Sequence, residues 1–203
     1  MARKTTEQRR IEIIRESSQI LAQQGFHNLT TKALSKQLGI AEMILYRCFK
    51  NKNAIVLACI EQTGRAQISF WQKITVTHED PLEALATIAA DFSFNPSHES
   101  TGFQLLQRLS AEILEPELTD AVAKVYLEFC DFLQSQLIKL IEFHGIEMPS
   151  EEILRHLAWV LVHWGSGLGQ MQLLPIHEAH QDLFKKFQVE LAINFIKGHL
   201  WST

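Results

Sequence analysis

Between Thr30 and Lys52 the chain reads TTKALSKQLGIAEMILYRCFKNK, two short helical patterns divided by one glycine. No other stretch limits the fold so narrowly. Thr30 is placed to cap the first helix, accepting a bond from an otherwise orphaned backbone N–H. Leu34 and Leu38 recur at i, i+4 and face inward. Ser35 is small enough for a second helix to cross close by. Gly39 gives the sharp turn its backbone freedom, having no Cβ to clash. Ile40, Leu45 and Phe49 then bury one side of the second helix. Glu42, Met43, Ile44, Tyr46 and Arg47 are left to face outward.

Apolar residues elsewhere recur at spacings of three and four, strand-like alternation is scarce, and only five prolines occur. The expected fold is therefore all-α. A first helix is expected from Thr6 to Gln24, with a Thr5/Gln8 capping box and Ile11, Ile14, Ser18, Leu21 and Ala22 along its inner face. Gly25–Phe26 suggests a Schellman stop. Asn51 caps a long fourth helix that runs past Trp71. Asp80-Pro81-x-Glu83 opens a helix that ends near Asn95–Pro96. Further helices are expected over 99–114, 117–143, from Ser150 to Leu174–Pro175, and over 177–200. Residues 1–52 are taken as a small N-terminal domain of three helices, and 53–203 as a larger helical domain.

The formal charge of −4 hides an asymmetry. Residues 1–65 hold 11 Lys and Arg against 5 Asp and Glu, a net of +6, so the remainder carries −10. A basic N-terminal piece suits a polyanion, because neutralising phosphates releases condensed counterions. A solvated charged surface would give the same count, and the two-helix pattern is what favours DNA. Cys48, Cys59 and Cys130 have no metal-binding spacing, and so sparse a set fits a reducing, cytoplasmic setting. Leu157 to Leu174 holds no formally charged residue, but His163, Ser166, Gln170 and Gln172 would be costly in lipid, so an interface helix is expected there and no membrane partner.

The Thr30–Thr31 start, Leu34, the Leu38–Gly39–Ile40 turn, Leu45–Tyr46, Phe49 and the Lys50–Asn51–Lys52 run together resemble the TetR family of bacterial transcription repressors. That resemblance covers about the first quarter of the chain. It implies a helix-turn-helix reading duplex DNA, followed by a helical bundle that binds effectors and dimerises. It places Thr30, Thr31, Tyr46 and Lys52 on phosphates, with Lys32, Glu42, Met43, Ile44 and Arg47 reaching bases or neighbouring phosphates. The chain departs from the family at Ala41-Glu42-Met43-Ile44, where a polar residue, a small residue and Thr are usual. A glutamate can accept from cytosine N4, and apolar groups can touch thymine methyls.

Gly165, Gly167 and Gly169 interrupt a helical pattern, each at a cost of about 1 kcal/mol relative to Ala. Gly165 and Gly169 share a face that another helix could approach. Phe184, Phe187, Leu191 and Phe195 form an apolar stripe on the last helix. The resemblance implies a homodimer built on these two helices, whose twofold symmetry would match a near-palindromic operator with half-sites about 34 Å apart. The alternative is an ordinary intramolecular core. For the effector site the candidates are Phe92, Phe103, Leu106, Gln107, Tyr126, Phe129, Leu133, Trp159 and His163, large apolar groups with a few polar ones, which suits a small hydrophobic or aromatic molecule. The same aromatic spacing also fits simple core filling.

No cofactor, metal site or catalytic residue is expected. His156 and His163 are seven apart, and His177 and His180 lack a supporting cluster. No nucleophile–base order or glycine-rich phosphate loop is present. The function expected is a ligand-responsive repressor. The competing reading is a TetR-like small-molecule-binding module whose DNA affinity is weak or lost, motivated by Met43 and Ile44.

Overall fold

The computed structural model describes residues 4–94, 101–112, 114–171 and 181–201, with the side chains of 90–94, 101–103, 168–171 and 181–188 outside that description. Among the described residues every regular element is helical. In chain order they are α1 (Thr6–Gln24), α2 (Thr31–Leu38), α3 (Glu42–Cys48), α4 (Lys52–Thr77), α5 (Pro81–Phe94), α6 (Thr101–Ala111), α7 (Pro116–His144), α8 (Glu151–Met171) and α9 (Gln181–Leu200). A single 3₁₀ turn, Phe26–Asn28, follows α1. The chain divides into two compact units, one of residues 1–65 and 98–125, the other of 66–97 and 126–203. The division falls inside α4 and α7.

Local chemistry sets most helix boundaries. Thr5 and Gln8 form the reciprocal capping box. The Thr30 hydroxyl accepts from Ala33 N–H at 3.1 Å, Asn51 Oδ1 from Ala54 N–H at 2.8 Å, and Ser150 Oγ from Ile153 N–H at 3.3 Å. Gly39 stops α2 in the left-handed region at φ 62°, ψ 36°, and Ile40 N–H returns to the Ser35 carbonyl. Gly145 ends α7 the same way, with Ile146 N–H on the Ile141 carbonyl.

Gly25 does not form the expected Schellman stop. Its φ of 84° comes with ψ 177°, a region essentially reserved for glycine and outside the left-handed helical one that such a stop needs. The inner face of α1 also differs from the expected stripe. Ile13, Ser17, Ile20, Leu21 and Ala22 are buried, whereas Ile11 is 55% exposed. The reason is that α1 is covered on several sides, by α2, α3 and α6, and one stripe at helical spacing cannot describe that. The Cys59 thiol of α4 reaches the Ile14 carbonyl at 3.6 Å. At Gly64 a Cβ would stand 2.9 Å from Val125 Cγ1, so glycine lets α4 and α7 approach closely there.

In the second unit Trp71 is fully buried, its ring 4.9 Å from Phe129 and 5.6 Å from Phe132. Small residues bring α5 and α9 together: Ala86 and Ala89 meet Ala192, with Trp164, Val189 and Ile193 packed around them. Asp80 holds the start of α5, accepting from Leu82 N–H at 2.8 Å and from His144 Nε2 at 2.9 Å. Burial opposes ionisation of Asp80, but the Leu82 and His144 contacts outweigh it and keep its carboxyl below the ordinary value of 3.8.

Asp80→Ala removes the cap of α5, and urea unfolding at pH 7 is expected to show a loss of about 1 kcal/mol. Because the folded carboxyl is lowered, this contribution is complete above the ordinary value and fades as pH falls through the folded one, so the variant and parent should converge in acid. Burial pushes the Cys59 thiol up to about 12. Cys59 should therefore resist iodoacetamide at pH 8 in the native chain and label readily in urea, read by peptide mass spectrometry.

Candidate nucleic-acid interface

Helix α3 leaves the Gly39 turn through Ala41, which is extended and offers no capping side chain. Leu45 and Cys48 point inward, and Phe49 closes the helix from below. Met43 is 72% exposed and Tyr46 52%, with Arg47 exposed beside them. Glu42 and Ile44 are half-buried at the flanks. Ahead of α3, Thr30 and Lys32 are exposed at the start of α2. The Thr31 hydroxyl lies 3.5 Å from both Glu42 Oε2 and the Tyr46 hydroxyl, which joins the two helices at their outer edge. These bonds are at the limit of useful length and open to competition by a stronger partner.

Lys52 sits differently from the expectation for a phosphate ligand. Its ammonium donates to the Phe26 carbonyl at 2.6 Å and lies 3.6 Å above the Phe26 ring. Burial lowers its pKa, against the opposing pull of Glu112 and Glu115. The cation is therefore directed into the N-terminal unit.

Three further residues shape this surface and had no local signal in the sequence. Arg10 of α1 donates to the Cys48 carbonyl and stacks its guanidinium 4.2 Å over Phe49. A cation at that point satisfies an orphan carbonyl and suits the negative end of α3. Glu112, just past α6, accepts from Phe26 N–H at 2.9 Å. Glu16 accepts from Gln37 Nε2 at 3.1 Å, tying α2 to α1. Arg10 and Glu112 act over separations of 38 and 86 residues, beyond the reach of any spacing rule.

The candidate effector residues are distributed between the units. Leu106 and Gln107 are buried on α6 in the first. In the second, Phe129 and Leu133 are buried on α7, with the Tyr126 ring 6.0 Å from Phe129, and Trp159 is half-buried on α8. His163 is exposed on this chain, its Nδ1 2.7 Å from the Trp159 carbonyl, because α8 turns Leu157, Ala158, Leu161 and Val162 inward instead. The side chains of Phe92 and Phe103 lie outside the described residues.

Of the candidate dimer residues, Gly165 is buried, Leu191 is 42% exposed and Phe195 is half-buried against Trp164, 5.8 Å between ring centres. Gly169 lies within α8, but its burial and the side chains of Phe184 and Phe187 lie outside the description. Among the described residues no group of His, Cys, Asp and Glu could hold a metal ion, and no helix is long and apolar enough to cross a membrane.

Residues 13–59, from the middle of α1 into α4, match the sequence pattern of the bacterial regulatory proteins of the tetR family. No curated protein matches the chain. Among solved structures, a TetR-family regulator from Cytophaga hutchinsonii is 17% identical with a TM-score of 0.74, covering 97% of this chain and 98% of its own. The regulator FadR from Bacillus subtilis, in complex with stearoyl-CoA, is 18% identical with a TM-score of 0.72, covering 90% of this chain and 97% of its own. A regulator from Saccharomonospora viridis in complex with choline is 16% identical, also at 0.72, covering 91% and 95%. At these identities the structures establish a shared fold, and residues 13–59 carry the tetR-family pattern within it.

Proposed function

We propose that the chain is a ligand-responsive repressor that binds a near-palindromic operator as a homodimer and leaves it when a small hydrophobic or aromatic effector binds. The observation that carries the reading is the outer face of α3. Met43, Tyr46 and Arg47 stand exposed on a short helix whose inner side is locked in the core, with Thr30, Thr31 and Lys32 beside it. Residues 1–52 supply DNA reading in this proposal, and 53–203 supply effector binding and pairing. Arg47 and Lys32 provide the cationic contacts, while Met43, Ile44 and Glu42 meet base edges.

Tyr126, Phe129, Leu133 and Trp159 are the residues proposed to meet the effector within the second unit. The stearoyl-CoA and choline seen in structural relatives support a small-molecule site in a protein of this fold. The effector acts by binding the DNA-free arrangement better, because only a difference in affinity shifts such an equilibrium. Pairing is supported by α8 and α9. A Cβ at Gly167 would meet nothing within 4 Å, so nothing within 4 Å requires glycine at this helical position, and Leu191 offers an exposed apolar side chain nearby in sequence to Phe195.

Fluorescence anisotropy against duplexes from the region upstream of the gene, across a salt series, tests the DNA reading. Binding should weaken linearly on a log–log plot, by about 0.9 per phosphate neutralised. Arg47→Ala should lower affinity and, where Arg47 holds a phosphate, reduce that slope by about 1. Salt-independent or absent binding would instead support the competing module with lost DNA affinity. Leu191→Glu should shift sedimentation from dimer to monomer and weaken operator binding with it, whereas an unchanged dimer would remove α9 from the interface.

A further inference from the structure

The Gly25–Phe26 corner is gripped from two sides by charges that come from distant parts of the chain. Glu112 Oε2 accepts from Phe26 N–H at 2.9 Å, and Lys52 Nζ donates to the Phe26 carbonyl at 2.6 Å. Both polar groups of one residue are thus taken, one by a carboxylate and the other by an ammonium. The Lys52 cation also covers the Phe26 ring. Glu112 is steadied by Arg108, whose Nε lies 3.8 Å from Oε1. Next to this pair, Asn53 Nδ2 donates to Glu115 Oε2 at 2.7 Å, a second tie between the start of α4 and the segment after α6.

Gly25 fits the same grip. Its φ is +84°, and a Cβ there would stand 2.1 Å from Glu112 Oε1 and 3.1 Å from Arg108 Nε. The carboxylate occupies the space that a side chain at 25 would need. Only four residues separate Phe26 from Thr31, the first residue of α2, and α2 carries α3 through the Gly39 turn. Whatever fixes Phe26 therefore acts, together with the Arg10 and Glu16 ties, on the direction in which α3 presents Met43, Tyr46 and Arg47.

We propose that Glu112 and Lys52 are positioning residues for DNA binding, which set the orientation of α2 and α3 by clamping Phe26 and do not themselves touch DNA. The proposal rests on the DNA reading above and assigns Lys52 a role other than the phosphate contact the family pattern implies. It makes an unusual claim about sign. Glu112 is an anion in the unit expected to meet a polyanion, so simple electrostatics requires its removal to tighten binding. A clamp requires the reverse.

The test compares Glu112→Ala, Glu112→Gln and Lys52→Gln by anisotropy on one duplex over a salt series, with thermal melts and the Phe26 amide resonance of each variant recorded alongside. Loss of a hydrogen bond to a charged group in a positioning role is expected to weaken Glu112→Ala about tenfold. Glu112→Gln, which keeps an acceptor for Phe26 N–H but carries no charge, should stay within about threefold of the parent and restore the amide shift, which loss of the carboxylate alone would not do. Lys52→Gln should bind less tightly with an unchanged salt slope, because no phosphate contact is lost. Tighter binding by Glu112→Ala, or a slope lowered by about 0.9 in Lys52→Gln, overturns the proposal. Should the parent itself show no salt-dependent duplex binding, the DNA reading fails separately. The clamp is then judged by hydrogen exchange: faster exchange across α2 and α3 in Glu112→Ala than in Glu112→Gln retains it as a structural grip, and equal exchange removes it.

Discussion

Gly39 adopts φ 62° and ψ 36°, which returns Ile40 N–H to the Ser35 carbonyl and sends α3 away from α2 at a fixed angle. That departure decides which residues of α3 are buried. Leu45 and Cys48 fall on the inner side, together with Phe49, and the outer side is left with Met43, Tyr46 and Arg47. A side chain in the left-handed region would strain the turn. The buried Ser35 beneath it is small and donates its hydroxyl to the Lys32 carbonyl at 3.0 Å, so close crossing leaves its hydroxyl hydrogen-bonded. One turn thus converts a seven-residue helix, too short to be stable alone, into a rigid platform.

The charge asymmetry along the sequence looks different once the side chains are placed. Arg10 is committed to the end of α3 and Lys52 to Phe26. Lys4 and Arg9 both meet Glu12, and Arg15 meets Glu16. Lys32, Lys36, Arg47 and Lys50 are exposed around α2 and α3. Arg10 and Lys52 therefore serve carbonyls within the unit, while Lys4 and Arg15 form exposed pairs with glutamates that the net count already subtracts. The part directed outward is smaller and more localised than a residue count suggests, and it lies along the two helices whose geometry Gly39 fixes.

Much of this was legible from sequence because it is local. The caps at Thr5, Thr30, Asn51, Asp80 and Ser150 each depend on a bond spanning two or three residues, and the turn at Gly39 on a residue type. The bounds of α1 follow from such signals alone. The inner face of α1 was not legible, since it depends on which helices cover it. Nor was the fate of Lys52, whose partner is 26 residues away, or the role of Glu112, 86 residues from Phe26. Gly25 illustrates the same limit. Its need for glycine was visible, but the combination of φ 84° with ψ 177° beside the Glu112 carboxylate was not. His163 shared its helix with apolar residues, and its outward placement depended on the rotation of α8 about its own axis.

Arg10 joins the first helix to the last carbonyl of the third and to the Phe49 ring, whereas Met43 and Tyr46 are exposed. Anchor and outer surface are consequently separate sets of residues on one short helix. In evolutionary terms the two are free to change at different rates. On the DNA reading proposed above, substitutions on the outward face change what is bound while the anchoring cation and its aromatic seat stay put.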